Sequence, residues 1–221
     1  QTQPFQGVFD GLGHKISGLT ISHKSNTYYG IWAYISYATI KNLQIEGNSS
    51  FFYQDGYYPE LYLGAIAGYA NNTKIQNCSA DFPIIYDREK TESTWNWDST
   101  YDIYMGGIVG YATNTYISHC SHYGNISMKF GTGISEHYSD DGGAYIGGIC
   151  GKSYHGRTEY CGHSSEYISA TVSHSVNADY FSTYIGGIIG HVSGTNIVGC
   201  YNNTEKFIGE FYGLNTNYRS I

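Results

Sequence analysis

The sequence predicts an all-β protein whose chain coils into a parallel β-solenoid, and three observations carry this prediction. A glycine-rich block returns along the chain as "YLGAIAG" (62–68), "YMGGIVG" (104–110), "YIGGICG" (145–151) and "YIGGIIG" (184–190). A cysteine stands fourteen residues after the first glycine of each block, at Cys78, Cys120, Cys161 and Cys200. The composition combines 29 Gly and 25 Tyr with only 13% charged residues, which favours strands over helices.

Residues of one kind at a fixed offset indicate identical environments stacked above one another. A strand-rich repeat produces such columns by coiling, each turn adding a strand to every sheet. Weaker copies precede the four blocks, as "FQGVFDG" and "YYGIWAY", with Leu19 and Leu43 at the cysteine position. The 221 residues therefore predict one solenoid domain of about six to seven coils. The coil origins lie near Gly7, Gly30, Gly64, Gly106, Gly147, Gly186 and Gly213.

The longer repeats contain extra residues that the shortest repeat lacks. Each surplus falls between the last strand of one coil and the next glycine block, at 51–61, 86–103, 129–143 and 169–183. Because coils stack in register, these segments are expected to be long insertion loops that emerge along one edge.

The repeats also resemble those of a known protein family. "PFQGVFDGLGHKISGLTI" and "GGIVGYATNTYISHCSHYGNIS" are similar to the GLUG-type repeats of secreted and cell-surface proteins, as in adhesins and the non-catalytic regions of bacterial immunoglobulin A peptidases. The resemblance extends from Pro4 to about Phe207. It implies a right-handed β-helix and an extracellular scaffold or adhesive role, with no catalytic residues to transfer. The zinc signature H-E-x-x-H of the peptidases is absent from the sequence.

Charge and hydropathy exclude two classes of partner. The net charge is −7 and the basic residues are scattered, so neither a nucleic-acid surface nor a polybasic membrane anchor is predicted. No run reaches the roughly 18 apolar residues of a membrane span, so no direct membrane insertion is predicted. No signal peptide opens the sequence, and we expect an extracellular or cell-surface protein whose signal has already been removed.

The cysteine column allows three interpretations. The residues are small buried hydrophobes with free thiols, which Leu43 at the same position favours. Alternatively, adjacent cysteines form disulfides, although parallel in-register side chains would strain the dihedral angle. In a third interpretation His122 and His163, each two residues after a column cysteine, complete a zinc site. The spacing is shorter than usual for zinc, and neither a metal nor a cofactor is predicted.

Strand alternation within the glycine block separates two apolar faces. One face, with Met105 and Val109, is expected to point into the core. The other face is predicted either to be covered by the insertion loops or to be a contact surface for a second chain or for sugars. Its residues are Tyr28, Trp32, Tyr62, Ile66, Tyr104, Ile108, Tyr145, Ile149, Tyr184 and Ile188.

Two insertions combine aromatic rings with carboxylates, as carbohydrate sites do. The candidate binding residues are Trp95, Trp97 and Tyr101 in one insertion and His137, Tyr138, Asp140 and Asp141 in the next. Tryptophan also anchors long loops to a scaffold, so a purely structural role stays open. In a eukaryotic protein, glycosylation is expected at Asn48, Asn71, Asn125 and Asn202, whereas Asn77 beside a buried cysteine is the least accessible sequon.

The sequence therefore predicts a non-enzymatic extracellular structural or adhesive module. The strand ends of a solenoid invite association with another copy or another surface protein, in a fibre or surface layer. The alternative is a carbohydrate-binding protein, or less favourably a polysaccharide-active enzyme, that uses the insertion loops. No nucleophilic or phosphate-binding motif is present in the sequence.

Overall fold

The computed structural model describes residues 3–23, 27–46, 50–53, 60–88, 102–131, 142–173 and 181–212. Every helix or strand assigned in these ranges is a β-strand. Within the same ranges, no helix has the length and apolar character needed to cross a membrane.

The strands fall into groups that follow one another along the chain. The first group is β1 (Val8–Asp10), β2 (Lys15–Ser17) and β3 (Thr20–His23). The second is β4 (Tyr28–Tyr29), β5 (Trp32–Ser36), β6 (Thr39–Lys41), β7 (Gln44–Glu46) and β8 (Ser50–Tyr53). The third is β9 (Glu60–Gly64), β10 (Ala67–Asn71), β11 (Lys74–Gln76), β12 (Ser79–Asp81) and β13 (Ile84–Arg88).

Later groups repeat this pattern and then simplify it. The fourth group is β14 (Asp102–Gly106), β15 (Val109–Thr113), β16 (Tyr116–Ser118), β17 (Ser121–Tyr123) and β18 (Ile126–Gly131). The fifth is β19 (Gly142–Gly147), β20 (Cys150–Tyr154), β21 (Arg157–Glu159) and β22 (Gly162–Ser173). The last is β23 (Phe181–Gly186), β24 (Ile189–Ser193), β25 (Asn196–Val198) and β26 (Tyr201–Tyr212).

The strands pair into four parallel sheets, which the chain visits in a constant order. Sheet 1 contains β4, β9, β14, β19 and β23, and sheet 2 contains β5, β10, β15, β20 and β24. Sheet 3 contains β1, β6, β11, β16, β21 and β25. Sheet 4 contains the remaining strands, and the long β22 and β26 span its full width. We call one passage through these sheets a rung. The arrangement confirms the all-β prediction and is compatible with a parallel β-solenoid.

Two-residue corners join sheet 2 to sheet 3 and sheet 3 to sheet 4, and each depends on one residue with a left-handed backbone. Asn72 and Asn114 take positive φ between sheets 2 and 3, and Asn77 and His119 do so between sheets 3 and 4. Asparagine tolerates this conformation better than most residues, and Gly199 occupies the second corner in the last rung. The left-handed residue therefore recurs at the same place in each rung, although its type varies, as at Tyr37, His155 and Tyr160.

The core consists of columns of small and branched apolar side chains. One column contains Ile40, Ile75 and Ile117, which are paired in register and almost completely buried. The predicted cysteine column is present beside Leu43, with Cys78, Cys120 and Cys161 buried. All five cysteines are free thiols, so the disulfide interpretation is wrong for this structure.

The register of the first repeat corrects the sequence alignment. Ile16 pairs with Ile45, and Phe9 occupies the column above Ile40. Leu19 precedes β3 instead of standing at the cysteine position. The reason is the turn at 11–14, where Leu12 and Gly13 both have positive φ and replace the two-residue corner of later rungs.

The insertions are also shorter than predicted, because strands extend into them. β13 continues to Arg88, β18 to Gly131 and β22 to Ser173, while β14 and β19 begin at Asp102 and Gly142. Each extension pairs in parallel with its neighbours, so the sheet hydrogen bonds stabilise residues that the sequence pattern assigns to loops.

A buried hydroxyl in the core leads to a stability prediction. Thr183 lies in the column of Leu61, Ile103 and Ala144, and its Oγ1 is buried without a hydrogen-bond partner. Thr183→Val removes this unsatisfied group at nearly constant volume, so we expect the free energy of unfolding to rise by about 1 kcal/mol.

Urea denaturation measures the change. Thr195→Val is the contrasting variant, because the Thr195 hydroxyl bonds Ser153 Oγ and the Gly156 N–H. A loss of stability in Thr183→Val would contradict the prediction.

Candidate functional site

Glycine lanes bring the backbones of sheets 1 and 2 into contact. A Cβ added to Gly64 would lie 2.6 Å from Val109 Cα, and one added to Gly110 would lie 2.7 Å from Leu63 N. These obstacles are backbone atoms, so glycine is required for the approach. The glycine positions of the second face are therefore covered by the chain's own sheet 2.

The corner between sheets 1 and 2 changes the predicted contact face. Ile66, Ile108 and Ile149 are fully buried members of the core. The sequence interpretation placed them on the outer face because it treated each block as one straight strand. The chain instead turns between Gly106 and Val109, which directs these isoleucines inward. As an exposed contact surface, the prediction is wrong at these three positions.

The tyrosines of the predicted face form part of a larger stack, here called the tyrosine seam. Its members are Tyr28, Tyr62, Tyr104, Tyr145 and Tyr184 on sheet 1 and Tyr34, Tyr69 and Tyr111 on sheet 2. Ring centroids of consecutive sheet 1 members are 4.8 to 5.1 Å apart, close to the spacing of the strands. Tyr62 and Tyr104 are buried, whereas the other members are half-buried. Trp32 and Ile188 are also half-buried.

Charged side chains complete the tyrosine seam. The Tyr104 hydroxyl donates to Asp102 Oδ2 at 2.6 Å, and the Tyr62 hydroxyl donates to Glu60. Burial first and the carboxylates second raise the pKa of Tyr62 and Tyr104 far above the usual range, so both hydroxyls remain donors. The Nζ of Lys152 lies 4.4 Å from the Tyr145 ring centroid, a cation–π contact.

The geometry of the tyrosine seam bears on sugar binding. Lectin-like sites present an open ring face to the sugar, whereas consecutive rings here stack at interplanar angles of 2 to 23°. Each interior ring therefore has its faces covered by its neighbours and presents its edge outward. The interior members of the seam consequently lack the open ring faces on which a pyranose could stack.

A second polar arrangement is buried between sheets 3 and 4. His122 and His163 are completely buried and stack with centroids 5.1 Å apart. His122 Nε2 lies 3.0 Å from the Phe82 carbonyl, which can only accept, so this nitrogen carries the proton. His163 Nδ1 then donates to His122 Nδ1 at 3.1 Å, and the Ser165 hydroxyl donates to His163 Nε2 at 2.9 Å.

This hydrogen-bond chain uses every nitrogen of the two rings, which argues against the zinc interpretation. No group of three or more histidine, cysteine or acidic side chains is placed to hold a metal ion in the part of the chain that the structure describes. Burial raises the pKa of the Cys120 thiol, whereas a hydrogen bond with Cys120 lowers the pKa of the Cys161 thiol, so the two do not form a matched pair of thiolate ligands. Burial also lowers the pKa of His122 to about 3 and of His163 to about 4. The pair is therefore a neutral structural element of the core.

Small residues opposite the histidines explain why the rings fit. A Cβ on Gly107 would lie 2.5 Å from His122 Cβ, and one on Gly148 would lie 2.5 Å from the His163 ring. In the preceding rung, where Ala65 replaces glycine, the histidine column holds Ala80. A larger side chain in the histidine column therefore accompanies a glycine in the opposite column. This covariation is visible in the sequence but was not among the predictions.

Other predicted site residues divide into two groups. The candidate carbohydrate residues Trp95, Trp97, Tyr101, His137, Tyr138, Asp140 and Asp141 lie outside the described residues, as does Asn48. The remaining predicted sequons have engaged side chains: Asn71 Oδ1 accepts from Thr113, Asn202 Oδ1 accepts from Thr204, and Asn125 Oδ1 accepts from the N–H groups of Glu166 and Tyr167. Asn77, expected to be the least accessible sequon, is exposed at a corner.

The last rung exposes columns that are buried in the rung before it. Val192, Ile197 and Phe207 are 40%, 44% and 51% exposed. Their partners in the preceding rung, Ser153, Thr158 and Ile168, are at most 1% exposed. We call this surface, formed by β23 to β26, the C-terminal edge. It joins exposed core side chains to the outer strands of all four sheets.

Comparisons with protein-family models, with curated proteins and with solved structures find no match to this chain. The resemblance to GLUG-type repeats therefore stays a prediction. Functional inference depends on the C-terminal edge, the tyrosine seam and the buried histidine pair.

Proposed function

We propose that this chain is a non-enzymatic extracellular structural or adhesive module that self-associates through the outer strands of its four sheets. The supporting observation is the C-terminal edge, where Ile197 and Phe207 leave their core columns half-exposed. Apolar columns beside unpaired strand edges favour the addition of further strands. The expected product is a fibre or surface layer, in contact with other copies or with another surface protein.

The proposal includes a finer description of the fold. We propose a right-handed β-helix of six to seven coils, as the resemblance to GLUG-type repeats implies. Glycine lanes, left-handed corners and buried columns recur from rung to rung, which suits a rigid rod more than a hinged binding cleft. The stacked sheets would then hold the insertion segments at regular intervals along one side.

Sedimentation velocity and electron microscopy test the self-association. We expect species larger than the 24.5 kDa monomer that increase with concentration, because an edge with exposed core residues is covered by association. The double variant Ile197→Lys/Phe207→Lys should remain monomeric, since lysine at an edge opposes strand addition. Both side chains are already half-exposed, so the fold should tolerate the changes.

A matched control separates the edge from general surface charge. Tyr123→Lys introduces the same residue at an exposed position on β17, which has a neighbouring strand on each side. It should associate like the parent protein. Dispersed monomers of the parent at every concentration would overturn the proposed function.

A further inference from the structure

We propose that the tyrosine seam is a relay for one-electron oxidation. It accepts oxidising equivalents from one-electron oxidants such as peroxyl radicals at its half-buried rings and holds them on the buried Tyr62 and Tyr104. This goes beyond the proposed self-association, which assigns no role to the stacking of these rings. The chemistry uses groups that the seam contains, namely stacked phenols, two carboxylates and an ammonium group.

Consecutive rings of the tyrosine seam are close enough for electron exchange. Tyr184 and Tyr145 stack with centroids 5.1 Å apart, and Tyr145 and Tyr104 with centroids 5.0 Å apart. Tyr62 and Tyr111 lie 4.8 Å and 5.0 Å from Tyr104. Aromatic rings at these distances are in contact. Because electron tunnelling weakens exponentially with distance, short steps between touching rings are faster than one long step, and the seam forms a continuous path from half-buried rings to buried ones.

Two of the rings also have a base in place for the phenolic proton. Loss of an electron makes a phenol strongly acidic, so oxidation is easiest where a carboxylate already accepts the hydroxyl hydrogen. The Tyr104 hydroxyl donates to Asp102 Oδ2 at 2.6 Å, and the Tyr62 hydroxyl donates to Glu60. Asp102 Oδ1 accepts the Gly143 N–H at 3.0 Å, which fixes this carboxylate in position. The raised pKa of both phenols keeps the proton on the tyrosine until an electron leaves.

The reaction balances as the transfer of one hydrogen atom to the oxidant. A peroxyl radical takes an electron and a proton from Tyr145, which gives a hydroperoxide and the neutral Tyr145 radical. Tyr104 then passes an electron to Tyr145 and its phenolic proton to Asp102, while the Tyr145 phenolate takes a proton from water. Asp102 returns its proton to the solvent, so the radical remains on Tyr104. The Lys152 Nζ lies 4.4 Å from the Tyr145 ring centroid and 5.4 Å from that of Tyr104, which makes positive charge less stable on Tyr145.

Burial protects a radical on the two acceptor rings. Tyr62 and Tyr104 are 6% and 3% exposed, and neighbouring rings stack on both of their faces. Two phenoxyl radicals couple only when their rings meet, so a radical here is kept from the rings of another copy. Tyr37 and Tyr160, which are 71% and 55% exposed, lack this protection and are expected to form dityrosine. The seam should therefore hold a long-lived radical, whereas exposed tyrosines give short-lived ones.

Photo-oxidation of the protein tests where the radical rests. Photogenerated tris(bipyridine)ruthenium(III) is the oxidant, and EPR of frozen samples follows the tyrosyl radical. We expect Tyr62→Phe/Tyr104→Phe to lower the long-lived signal to about a third or less, since phenylalanine keeps the stack but has no hydroxyl. Tyr37→Phe/Tyr160→Phe is the matched control and should lower dityrosine fluorescence without changing the long-lived signal. If removal of Tyr62 and Tyr104 costs only the share of two tyrosines among 25, the rings react independently and the inference is overturned.

A second pair of variants tests the carboxylates. Glu60→Gln/Asp102→Asn keeps hydrogen-bonding groups beside the two hydroxyls but removes the bases, so the long-lived signal should fall about threefold or more. Glu46→Gln/Asp81→Asn removes two carboxylates from sheet 4 and should behave like the parent protein. An unchanged signal without Glu60 and Asp102 would show that the stack is only structural and would overturn the inference.

A tethered oxidant tests movement along the seam. Ser182 precedes Tyr184 on β23, and Ser182→Cys attaches a ruthenium photosensitiser at this rung. The half-buried Cys200 is replaced by serine, and the other native thiols are buried. Tyr145→Phe interrupts the stack between Tyr184 and Tyr104, so it should lower the long-lived signal from the tethered complex about threefold or more. Equal signals with and without Tyr145→Phe would show direct oxidation of the buried rings and overturn the relay.

Discussion

Gly106→Ala is expected to lower the free energy of unfolding by about 3 kcal/mol or more, as overpacking against rigid neighbours does. The new Cβ would lie 2.7 Å from both Cys150 Cα and Gly151 N. Both atoms belong to the backbone of sheet 2, so relief requires sheets 1 and 2 to separate along the glycine lanes. Urea denaturation of the variant and the parent protein measures the loss.

Gly162→Ser is the matched control. The same register position holds Ser79 and Ser121 in earlier rungs, and the obstacle to a Cβ at Gly162 is the ring of Tyr201, which is 47% exposed and free to rotate. We expect a change within about 0.5 kcal/mol. Equal losses in Gly106→Ala and Gly162→Ser would show that the glycine lanes have no special role.

Replacing His122 and His163 together by asparagine is expected to flatten the acid sensitivity of the fold. The folded-state pKa values are about 3 and about 4, below the ordinary value of 6.5, because burial disfavours the charged rings. Between the folded-state pKa values and 6.5, the two histidines bind protons in the unfolded chain but stay neutral in the folded chain. Stability is therefore complete above pH 6.5 and falls as the pH decreases through this window, approaching a slope of about 1.4 kcal/mol per pH unit for each histidine.

Asparagine suits this test because Asn202 already occupies the same column, above Gly187. The measurement is the free energy of unfolding from urea titrations at several pH values between 4 and 7. His14→Asn, at an exposed position, is the control for the substitution itself. The carboxylates Asp10 and Glu159, whose pKa values are lowered, remain in all variants and cancel in the comparison. An unchanged slope in the double variant would contradict the assignment.

Much of the architecture could be predicted from the spacing of residues. The fourteen-residue offset placed Cys78, Cys120 and Cys161 in one column, because equal path lengths around similar corners bring equal positions together. The tyrosine column of sheet 1 was predictable for the same reason. The first repeat was not, since the turn at 11–14 changes the path length while "KISGLTI" imitates the later motif "TIKNLQI".

The outer face of the glycine block could not be assigned by alternation alone. Alternation assumes a straight strand, and the turn at Gly107 and Ile108 breaks it, so the isoleucine side chain enters the core. The close approach of sheets 1 and 2 also depends on contacts between rungs, which no single repeat contains. Local sequence therefore predicted the need for close approach but not the partner, which is the chain itself.

The corners between sheets hold one further consequence, for how the chain can vary. Hydrogen bonds at one corner join residues 35 apart for Ala38 and Thr73 but 39 apart for Gly156 and Thr195. Loop-closure entropy grows only with the logarithm of length, about 0.6 kcal/mol for each doubling. The stability of the four stacked sheets therefore depends only weakly on the length of the segment between sheet 4 and the next sheet 1. Evolution can therefore lengthen, shorten or replace these segments one at a time while the corners and glycine lanes hold the stack unchanged.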